Sequence, residues 1–482
     1  MHPSVLYRPF LTLLFACSFA GTAACVDDLQ ADAGSQDAGW QDAGSQDAGS
    51  QDAGSQDAGV STAKPNILLI IADDLGVESS VCYSDNPAPA PNLLAFCDEA
   101  VVFDNVWSSP ICSPTRAGML TGRHSFRTGI GEQLTPQNDL EIDANEWTLP
   151  RVLDAANSGY AHASFGKWHL GGDAQNPNAM GWGHFSGLLD GALSDYERWE
   201  KIENGISQNI TTYATTEITN DTIDWIAAQS TPWLAWVAYT APHTPFHLPP
   251  ADLHTQQLVG TADDIMTNPE GYFHAAVEAL DTEMARLLDS LPEDVRNNTT
   301  VIFIGDNGTT AQVSEKPAPR AKGSLYQGGI HVPLMIWGAG VQSGGRRDAS
   351  LVNSLDLYAT ILNLAKVDLT TTVGDSMQLD ARSLTFALAG DASTEPGSTY
   401  ILAELFGTVS PASKQGETIR DAQYKLMQLS SGATRFYDLS VDPNEANVLN
   451  AANRNESQQS AFERLTQTLA SWTSSPDSPR AD

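Results

Sequence analysis

The run NILLIIA at Asn66–Ala72, followed at once by two aspartates, is the stretch that decides the fold. A short, continuous apolar run that ends in polar residues is typical of a strand buried on both faces of a parallel sheet. Three further runs have the same form: YAHASF shortly before Lys167, WLAWVAY shortly before His243, and TTVIFI shortly before Asp306. The chain therefore contains several buried strands, each with polar residues near its carboxyl end.

Helical patterns lie between these strands. The clearest is YFHAAVEALDTEMARLLDSL, which has five apolar residues on one face: Val277, Leu280, Met284, Leu287 and Leu291. Strands that alternate with helices predict a doubly wound α/β fold, a large sheet with flanking helices. Such sheets bind ligands beyond the carboxyl ends of their strands, which is where this sequence has its acids, histidines and lysine.

The last part of the chain has a different pattern. After about Thr385 come three strand-like segments, TYILAEL, YKLMQLS and TRFYDL, and then a helix-like stretch at residues 458–472. These segments predict a small antiparallel sheet with a closing helix. We therefore expect a catalytic α/β domain over residues 64–385 and a small C-terminal α+β subdomain over residues 386–482.

Residues 1–25 have the layout of a secretory signal peptide, with one Arg, an apolar stretch and then small residues. The apolar run is short for a membrane-spanning helix. The ending TAAC at residues 22–25 is similar to a bacterial lipobox, in which the Cys is lipidated and becomes the mature N-terminus. We expect an exported protein with a lipid anchor at Cys25 on the bacterial cell-envelope surface. The alternative is a plain cleaved signal and a periplasmic or secreted protein.

Residues 26–63 repeat the unit SQDAG, once as WQDAG, and have almost nothing apolar to bury. This composition predicts a flexible acidic linker that does not fold alone. The eight Asp of the linker account for a minor part of the formal net charge of −34, so the remainder is acidic too. The charge argues against a general nucleic-acid binder, and an anionic substrate would need a local positive pocket.

Three cysteines, Cys82, Cys97 and Cys112, lie beyond the leader. In an oxidising compartment Cys82 can pair with Cys97, which closes a loop of moderate length and leaves Cys112 single. The alternative is that Cys82 and Cys97 are both small buried hydrophobes.

Four polar residues at two strand ends offer oxygen ligands: Asp73, Asp74, Asp306 and Asn307. Oxygen ligands suit a hard cation such as Ca²⁺ or Mg²⁺ better than Zn²⁺. Each pair by itself is also an ordinary turn sequence. The hypothesis of a metal site therefore depends on the two strand ends lying side by side.

The segment SSPICSPTRAGMLTGRH is more specific. Ser113 can cap a helix and Pro114 can open it, which places Cys112 at a helix N-terminus, where backbone N–H groups and the helix dipole favour an anion. Arg116 and Arg123 add forked donors that suit a tetrahedral oxyanion. A lone cysteine is more often an inert buried thiol, but the surrounding CSPTR favours a functional one.

The sequence CSPTR at residues 112–116 is similar to the C-x-P-x-R signature of the type I sulfatases, in which the cysteine is oxidised to formylglycine. Other motifs stand in the family order between residue 64 and about residue 472: PNILLIIADDLG, GKWHLG, APHTPF, GDNG, AKGSLYQGGIHVP and the tail FYDLSVDPNEANVL. The resemblance implies an alkaline phosphatase-like fold with a large mixed sheet, and hydrolysis of sulfate esters. It also implies a formylglycine-generating maturation enzyme as a partner.

The resemblance further implies a role for each candidate residue. The ligands of a divalent cation, usually Ca²⁺ in this family, with Mg²⁺ the alternative, would be Asp73, Asp74, Asp306, Asn307 and the formylglycine made from Cys112. The catalytic residues would be Cys112, Arg116, Lys167, His169, His243 and Lys322. Arg116 and Lys167 would position the formylglycine hydrate, whereas Lys322 and His243 would hold the sulfate oxygens. His243 would also protonate the leaving alcohol, and His169 would take a proton from the second hydroxyl of the hydrate, which expels sulfate.

Two other functions stay open at this point. One is a phosphonate or phosphate-ester hydrolase of the same superfamily, although phosphonate-cleaving relatives commonly have histidine where this chain has Asn307. The other is a noncatalytic, surface-displayed protein that binds sulfated ligands. The chain departs from the family pattern at Gly305, Gln327 and His331, which bears on substrate preference more than on reaction type.

Overall fold

The apolar runs form the centre of a ten-stranded sheet in the computed structural model, which describes residues 64–135, 140–374, 377–390 and 398–473. The predicted signal peptide and SQDAG linker lie outside the described residues. The strands of this sheet are β1 (Asn66–Ala72), β2 (Val101–Trp107), β3 (Ala161–Lys167), β4 (His184–Leu188), β5 (Trp199–Glu203), β6 (Ile206–Ile210), β7 (Trp233–Ala238), β8 (Thr299–Gly305), β9 (Leu334–Gly338) and β10 (Arg346–Asn353).

The strand order across the sheet is β10-β2-β9-β8-β1-β7-β3-β4-β5-β6. The five neighbours β8, β1, β7, β3 and β4 are mutually parallel, whereas β9, β5 and β6 pair antiparallel with their neighbours. The predicted mixed α/β sheet is confirmed. Its parallel centre consists of the four apolar runs that the sequence singles out, together with β4.

Helices cover both faces of the large sheet, as the doubly wound prediction requires. They are α1 (Pro91–Phe96), α2 (Cys112–Thr121), α3 (Ser125–Thr128), α4 (Leu149–Ala155), α5 (Asn176–Ala179), α6 (Ala214–Ala227), α7 (Ala262–Thr267), α8 (Pro269–Asp289), α9 (Glu293–Asn297), α10 (Gln327–Ile330), α11 (Asp356–Leu364), α12 (Leu369–Thr372) and α13 (Thr385–Leu388). Within the described ranges, none of the helices combines the length and the apolar composition that a membrane crossing needs.

The residues of strand β1 show why helices must pack on both faces of the large sheet. Its alternate residues Ile67 and Leu69 pack into a core with α2, α4 and α11, while Leu68 and Ile70 pack into a second core with α6 and α8. Successive strand residues point to opposite faces, so an uninterrupted apolar run demands helices on both sides. Helix α8 contains most of the predicted amphipathic stretch and begins three residues before it, at Pro269.

The C-terminal part forms a separate four-stranded antiparallel sheet in the order β11-β12-β13-β14, covered by a helix. Its elements are β11 (Ile401–Leu405), β12 (Gly416–Arg420), β13 (Tyr424–Leu429), β14 (Thr434–Asp438) and α14 (Glu456–Thr473). The predicted small sheet and closing helix are confirmed. The sequence did not reveal β12, because GETIR is short and carries two charged residues, without a long apolar run.

The sequence left open whether Cys82 and Cys97 are paired, and in the structure they are. Cys82 and Cys97 form a disulfide with a Cα–Cα distance of 6.1 Å. Cys112 is free and buried. The thiol of Cys112, the first residue of the CSPTR segment, is therefore available for chemistry of its own.

Candidate active site

Four adjacent parallel strands deliver the predicted residues to one edge of the sheet. Asp73 and Asp74 follow β1, Asp306 follows β8, Lys167 ends β3, and His243 lies in the loop after β7. The register pairs Ala72 with Gly305, so the two acidic strand ends lie side by side. The backbone N–H of Asp74 donates to Asp306 Oδ1 over 3.1 Å.

Helix α2 presents Cys112 to this edge. Cys112 is 2% exposed, and its Sγ lies 3.5 Å from Asp73 Oδ1 and 3.6 Å from Lys322 Nζ. The expected capping by Ser113 is wrong. The helix begins at Cys112 itself, without a side-chain cap, and Ser113 Oγ accepts a hydrogen bond from the Leu134 N–H over 3.0 Å.

Three cations surround the acids: Arg116 and Lys167 are buried, and Lys322 is partly exposed. Arg116 Nη2 donates to Asp306 Oδ2 over 2.9 Å, and Lys167 Nζ lies 2.5 Å from Asp73 Oδ2. The Lys322 ammonium pairs with Asp74 Oδ1. The three carboxylates and three cations balance in charge, which is the condition under which so many ions are tolerated in a protein interior.

The donor set fits a hard cation. Asp73, Asp74, Cys112 and His243 each offer a ligand atom within 4.8 Å of the others. Asn307 Nδ2 donates to Asp74 Oδ1 over 2.8 Å, while Asn307 Oδ1 is buried and has no hydrogen-bond partner among the described residues. A buried amide oxygen without a partner is unfavourable, and coordination to a cation would satisfy it.

The surrounding charges shift the pKa values of the three acids in different directions. Burial favours the neutral form of each, but the charges of Lys167 and His243 outweigh it at Asp73, and those of Lys322 and His243 outweigh it at Asp74, so the pKa of both carboxyls is lowered. At Asp306, burial and the nearby charge of Asp73 raise the pKa in spite of Arg116. The charges of the cluster therefore favour the ionised forms of Asp73 and Asp74, and added positive charge would lower the pKa of Asp306 as well.

The Cys112 thiol is not activated by its surroundings. Burial and the charge of Asp73 raise the pKa of Cys112 to about 12, although Lys167 and Lys322 oppose this. The unmodified side chain is protonated at neutral pH and is a poor nucleophile.

His169 is arranged as a neutral base. Its Nε2 donates to the Leu134 carbonyl over 3.0 Å, so in the neutral ring Nδ1 carries the free lone pair. Nδ1 is buried and has no partner within the described part of the chain. Burial and the charges of Lys167 and Arg116 hold the pKa of His169 well below its usual value. A side chain at Gly191 would lie 2.4 Å from the imidazole ring, so a glycine is needed opposite it.

His243 lies at the more open side of the cluster, with its side chain 15% exposed and Nε2 3.8 Å from Asp74 Oδ2. The hydroxyl of Tyr196 donates to the His243 carbonyl over 2.7 Å and to the Thr240 carbonyl over 3.0 Å. Sequence reasoning missed Tyr196, which stands in a loop outside the recognised motifs. Nothing in the local pattern identifies it.

Several candidates do not join the cluster. Arg123, expected beside the helix N-terminus, pairs with Glu146 at 2.6 Å. Gln327 Oε1 accepts from the Trp107 indole, and His331 Nε2 donates to the Asp104 carbonyl. These departures from the family pattern therefore contact protein groups away from Cys112.

Comparison with known proteins agrees with this geometry. A family model described as Sulfatase matches residues 65–367. The chain belongs to the sulfatase family. It is 28% identical over 338 residues to N-acetylgalactosamine-6-sulfatase of Homo sapiens, covering 62% of each chain. It is 24% identical over 441 residues to arylsulfatase G of Mus musculus, covering 80% of this chain and 79% of the relative. The first of these relatives is thus matched over about three fifths of its length.

Solved sulfatase structures share the fold. The crystal structure of Ps i-CgsB in complex with k-i-k-neocarrahexaose superposes with a TM-score of 0.74 at 22% identity, covering 86% of this chain and 94% of that one. The PsFucS1 sulfatase from Pseudoalteromonas sp. superposes with a TM-score of 0.68 at 19% identity, covering 87% and 92%. The likeness extends over most of both chains.

Proposed function

We propose that this protein hydrolyses sulfate esters with a formylglycine made from Cys112 and a bound divalent cation. The observation that carries the proposal is the position of Cys112, which begins α2 with its Sγ between Asp73 and Lys322. Membership of the sulfatase family supports the reaction class. The high pKa of the thiol supports the need for modification, because an unmodified Cys112 would be a poor nucleophile.

The surrounding residues suit the two proton transfers of ester hydrolysis. The formylglycine hydrate would supply one hydroxyl as nucleophile and a second hydroxyl whose deprotonation expels sulfate. His243 would donate a proton to the leaving alcohol. His169 would accept the proton of the second hydroxyl at Nδ1. Lys322 would contact the sulfate oxygens, while Arg116 and Lys167 would orient the hydrate.

When bound, a divalent cation supplies Lewis-acid stabilisation of the negative charge that develops on the nucleophile. Position 112 and four other residues would hold it: Asp73, Asp74, Asp306 and Asn307. We propose Ca²⁺, because the donors are carboxylate and amide oxygens and Ca²⁺ is the family's usual ion. Activity should disappear in enzyme stripped by a chelator and return on addition of Ca²⁺. Full activity in the stripped enzyme would remove the cation from the mechanism.

The modification is tested by comparing two preparations of the protein, made with and without a formylglycine-generating maturation enzyme. Peptide mass mapping gives the converted fraction of Cys112, and sulfate release from an aryl sulfate and from N-acetylgalactosamine 6-sulfate gives the activity. We expect activity to follow the converted fraction and Cys112→Ala to be folded but inactive. Equal activity of the thiol form would refute the formylglycine mechanism.

The same preparations separate the competing functions. Faster hydrolysis of an aryl phosphonate than of the aryl sulfate would support a phosphonate hydrolase, and binding of sulfated ligands without turnover by fully converted protein would support a noncatalytic role. The asparagine at position 307 favours sulfate esters. Its amide replaces the histidine that is common in phosphonate-cleaving relatives.

We also propose that the protein is exported and lipid-anchored through Cys25 on the bacterial cell-envelope surface, with residues 26–63 as a linker. The lipobox-like TAAC and the SQDAG repeats support this location. Mass analysis of the mature N-terminus from the native host would find a lipidated cysteine. A free, unlipidated terminus would instead indicate a periplasmic or secreted protein.

A further inference from the structure

The tail FYDLSVDPNEANVL contains a buried acid that the proposed mechanism does not use. Glu445 is 1% exposed and has a φ of 57°, a left-handed conformation that is uncommon for a residue with a side chain. The Asp442 carboxylate holds this turn by accepting from the N–H groups of Ala446, over 2.9 Å, and Asn447, over 2.7 Å. The turn therefore aims Glu445 inward at a defined point.

The Glu445 carboxylate contacts the segment that carries Lys322. Its Oε2 accepts from the backbone N–H of Gln327 over 2.6 Å, and its Oε1 lies 2.6 Å from Lys425 Nζ. Lys425, on β13, is fully buried and donates to the Leu325 carbonyl over 2.6 Å. The pair thus binds two backbone groups of one short segment of the catalytic domain.

Two further contacts tie the start of the same segment to the tail. Arg320 Nη1 donates to the Glu445 carbonyl over 2.9 Å, and Lys316 Nζ donates to Asn444 Oδ1 over 2.7 Å. Lys322 therefore lies between anchored residues on both sides, at Arg320 and at Leu325. We refer to residues 316–327 as the Lys322 segment.

The position of this backbone matters because lysine is a flexible side chain. Its ammonium is carried on a four-carbon stem, so the reach of Lys322 to Cys112 depends on where its own backbone is held. The catalytic domain supplies two backbone contacts near Lys322: the Lys322 N–H donates to the Thr309 carbonyl over 3.1 Å, and the Gly323 N–H to the Pro110 carbonyl over 2.9 Å. The tail and β13 supply the side-chain contacts.

Lys425 and Glu445 form a buried ion pair, and each of them depends on the charge of the other. Burial lowers the pKa of Lys425 to about 8, against the opposing charge of Glu445. The Lys425 ammonium also lies 4.8 Å from the centre of the Trp107 ring, a favourable cation–π distance. Removing one partner of a buried pair leaves the other uncompensated, and the structure relaxes around it.

We propose that Glu445 and Lys425 are positioning residues for catalysis, which act by fixing the Lys322 segment so that Lys322 faces Cys112. This inference rests on the proposed function of Lys322 at the sulfate group. Under this proposal the C-terminal sheet affects catalysis through Lys425, although that sheet contributes no side chain to the cluster around Cys112. Glu445 acts through the backbone of Gln327, and Lys425 through the backbone of Leu325.

The test combines kinetics with hydrogen exchange on the full chain. Glu445→Ala should lower kcat/KM by about ten- to a hundredfold, since a misplacement of about 1 Å can have an effect of that size. Glu445→Gln should recover part of the loss, because its amide oxygen can still accept from Gln327. In a Lys322→Ala background, Glu445→Ala should change kcat/KM by less than about twofold, because the effect is exerted through Lys322.

Amide exchange of residues 320–329, followed by mass spectrometry, should quicken in Glu445→Ala. The double variant Lys425→Met/Glu445→Leu replaces the ion pair with apolar side chains, which buried sites commonly tolerate, and should give a folded protein with the same quickened exchange. The matched control is Asp438→Asn, a tail carboxylate that contacts Gln423 and Ser440, which belong to the same subdomain. It should leave both the exchange of residues 320–329 and kcat/KM unchanged.

Unchanged exchange of residues 320–329 in both Glu445→Ala and the double variant would overturn the positioning role. Fully multiplicative effects of Glu445→Ala and Lys322→Ala on kcat/KM would overturn it as well. The converted fraction of Cys112 is measured in each variant, so that a loss of maturation is not mistaken for misplacement. If converted wild-type protein releases no sulfate, the proposed function fails, and the exchange measurement still decides whether the pair fixes the segment.

Discussion

The hydroxyl of Tyr196 holds the loop that carries His243, and it does so without touching the reacting position. It bridges the carbonyls of Thr240 and His243, and the His247 ring stacks on the Tyr196 ring at 3.9 Å between centroids. A proton donor must be placed within hydrogen-bond reach of its acceptor. With His243 as the proposed proton donor, we expect Tyr196 to contribute to the rate by fixing the His243 backbone.

Tyr196→Phe should lower kcat/KM for an aryl sulfate by about tenfold, because the His243 carbonyl loses its hydroxyl donor, the Thr240 carbonyl keeps only the His243 N–H, and the His243 backbone shifts. The control is Tyr239→Phe, which also removes one buried hydroxyl, here from a hydrogen bond with Thr219 at 2.8 Å. Both variants should lose about 1–3 kcal/mol of unfolding free energy. Only Tyr196→Phe should lose activity. An equal loss of kcat/KM in both variants would mean that lower stability causes the effect.

At the scale of elements, the parallel strands bring the site together only because their backbones approach closely. Gly166 in β3 has a φ of 82°, and a Cβ there would lie 2.1 Å from the Ala238 carbonyl oxygen on β7. The next residue is Lys167, which pairs with Asp73. The glycine thus permits the strand contact that places the lysine.

Gly166→Ala should destabilise the fold by about 2–4 kcal/mol, since backbone strain adds to a steric overlap. Gly159→Ala is the matched control: its φ is 80°, but a Cβ there would meet nothing within 4 Å. That change should lower the unfolding free energy by only about 1 kcal/mol. Urea unfolding of the two variants measures the difference, and equal losses would mean that the overlap with Ala238 is relieved without penalty.

At the scale of the whole molecule, buried neutral histidines predict sensitivity to acid. Burial, with the charges of Arg420 and Lys425, lowers the pKa of His331 to about 4, against an ordinary value of 6.5. The unfolded chain binds this proton near pH 6.5 and the folded chain only near pH 4, so lowering the pH through this window favours unfolding. The contribution reaches up to about 3 kcal/mol at pH 4.

His331→Gln should reduce this loss, because glutamine can still donate to the Asp104 carbonyl and takes up no proton. Urea unfolding at pH 7 and at pH 4.5 provides the comparison. The wild-type protein should lose more unfolding free energy between the two values than the variant does. An identical loss in both proteins would show that His331 does not contribute to acid sensitivity.

The sequence by itself determined the four central parallel strands, three strands of the small sheet and the identity of the clustered residues. Apolar runs and the polar residues after them are local features, and β1, β3, β7 and β8 follow them closely. Parallel strands end at one edge, so the meeting of Asp73 with Asp306 could be predicted. The CSPTR segment and the order of the other motifs supplied the family, which the matched residues 65–367 confirm.

Only the tertiary structure decided the contacts between distant segments. Ser113 has the composition of a cap, yet its hydroxyl accepts from Leu134, because the loop that backs His169 lies against α2. The roles of Tyr196 and Glu445 depend on partners 47 and 118 residues away in the chain. Periodicity and turn signals describe neighbours along the chain, whereas these hydrogen bonds form only after the two sheets and their loops have packed.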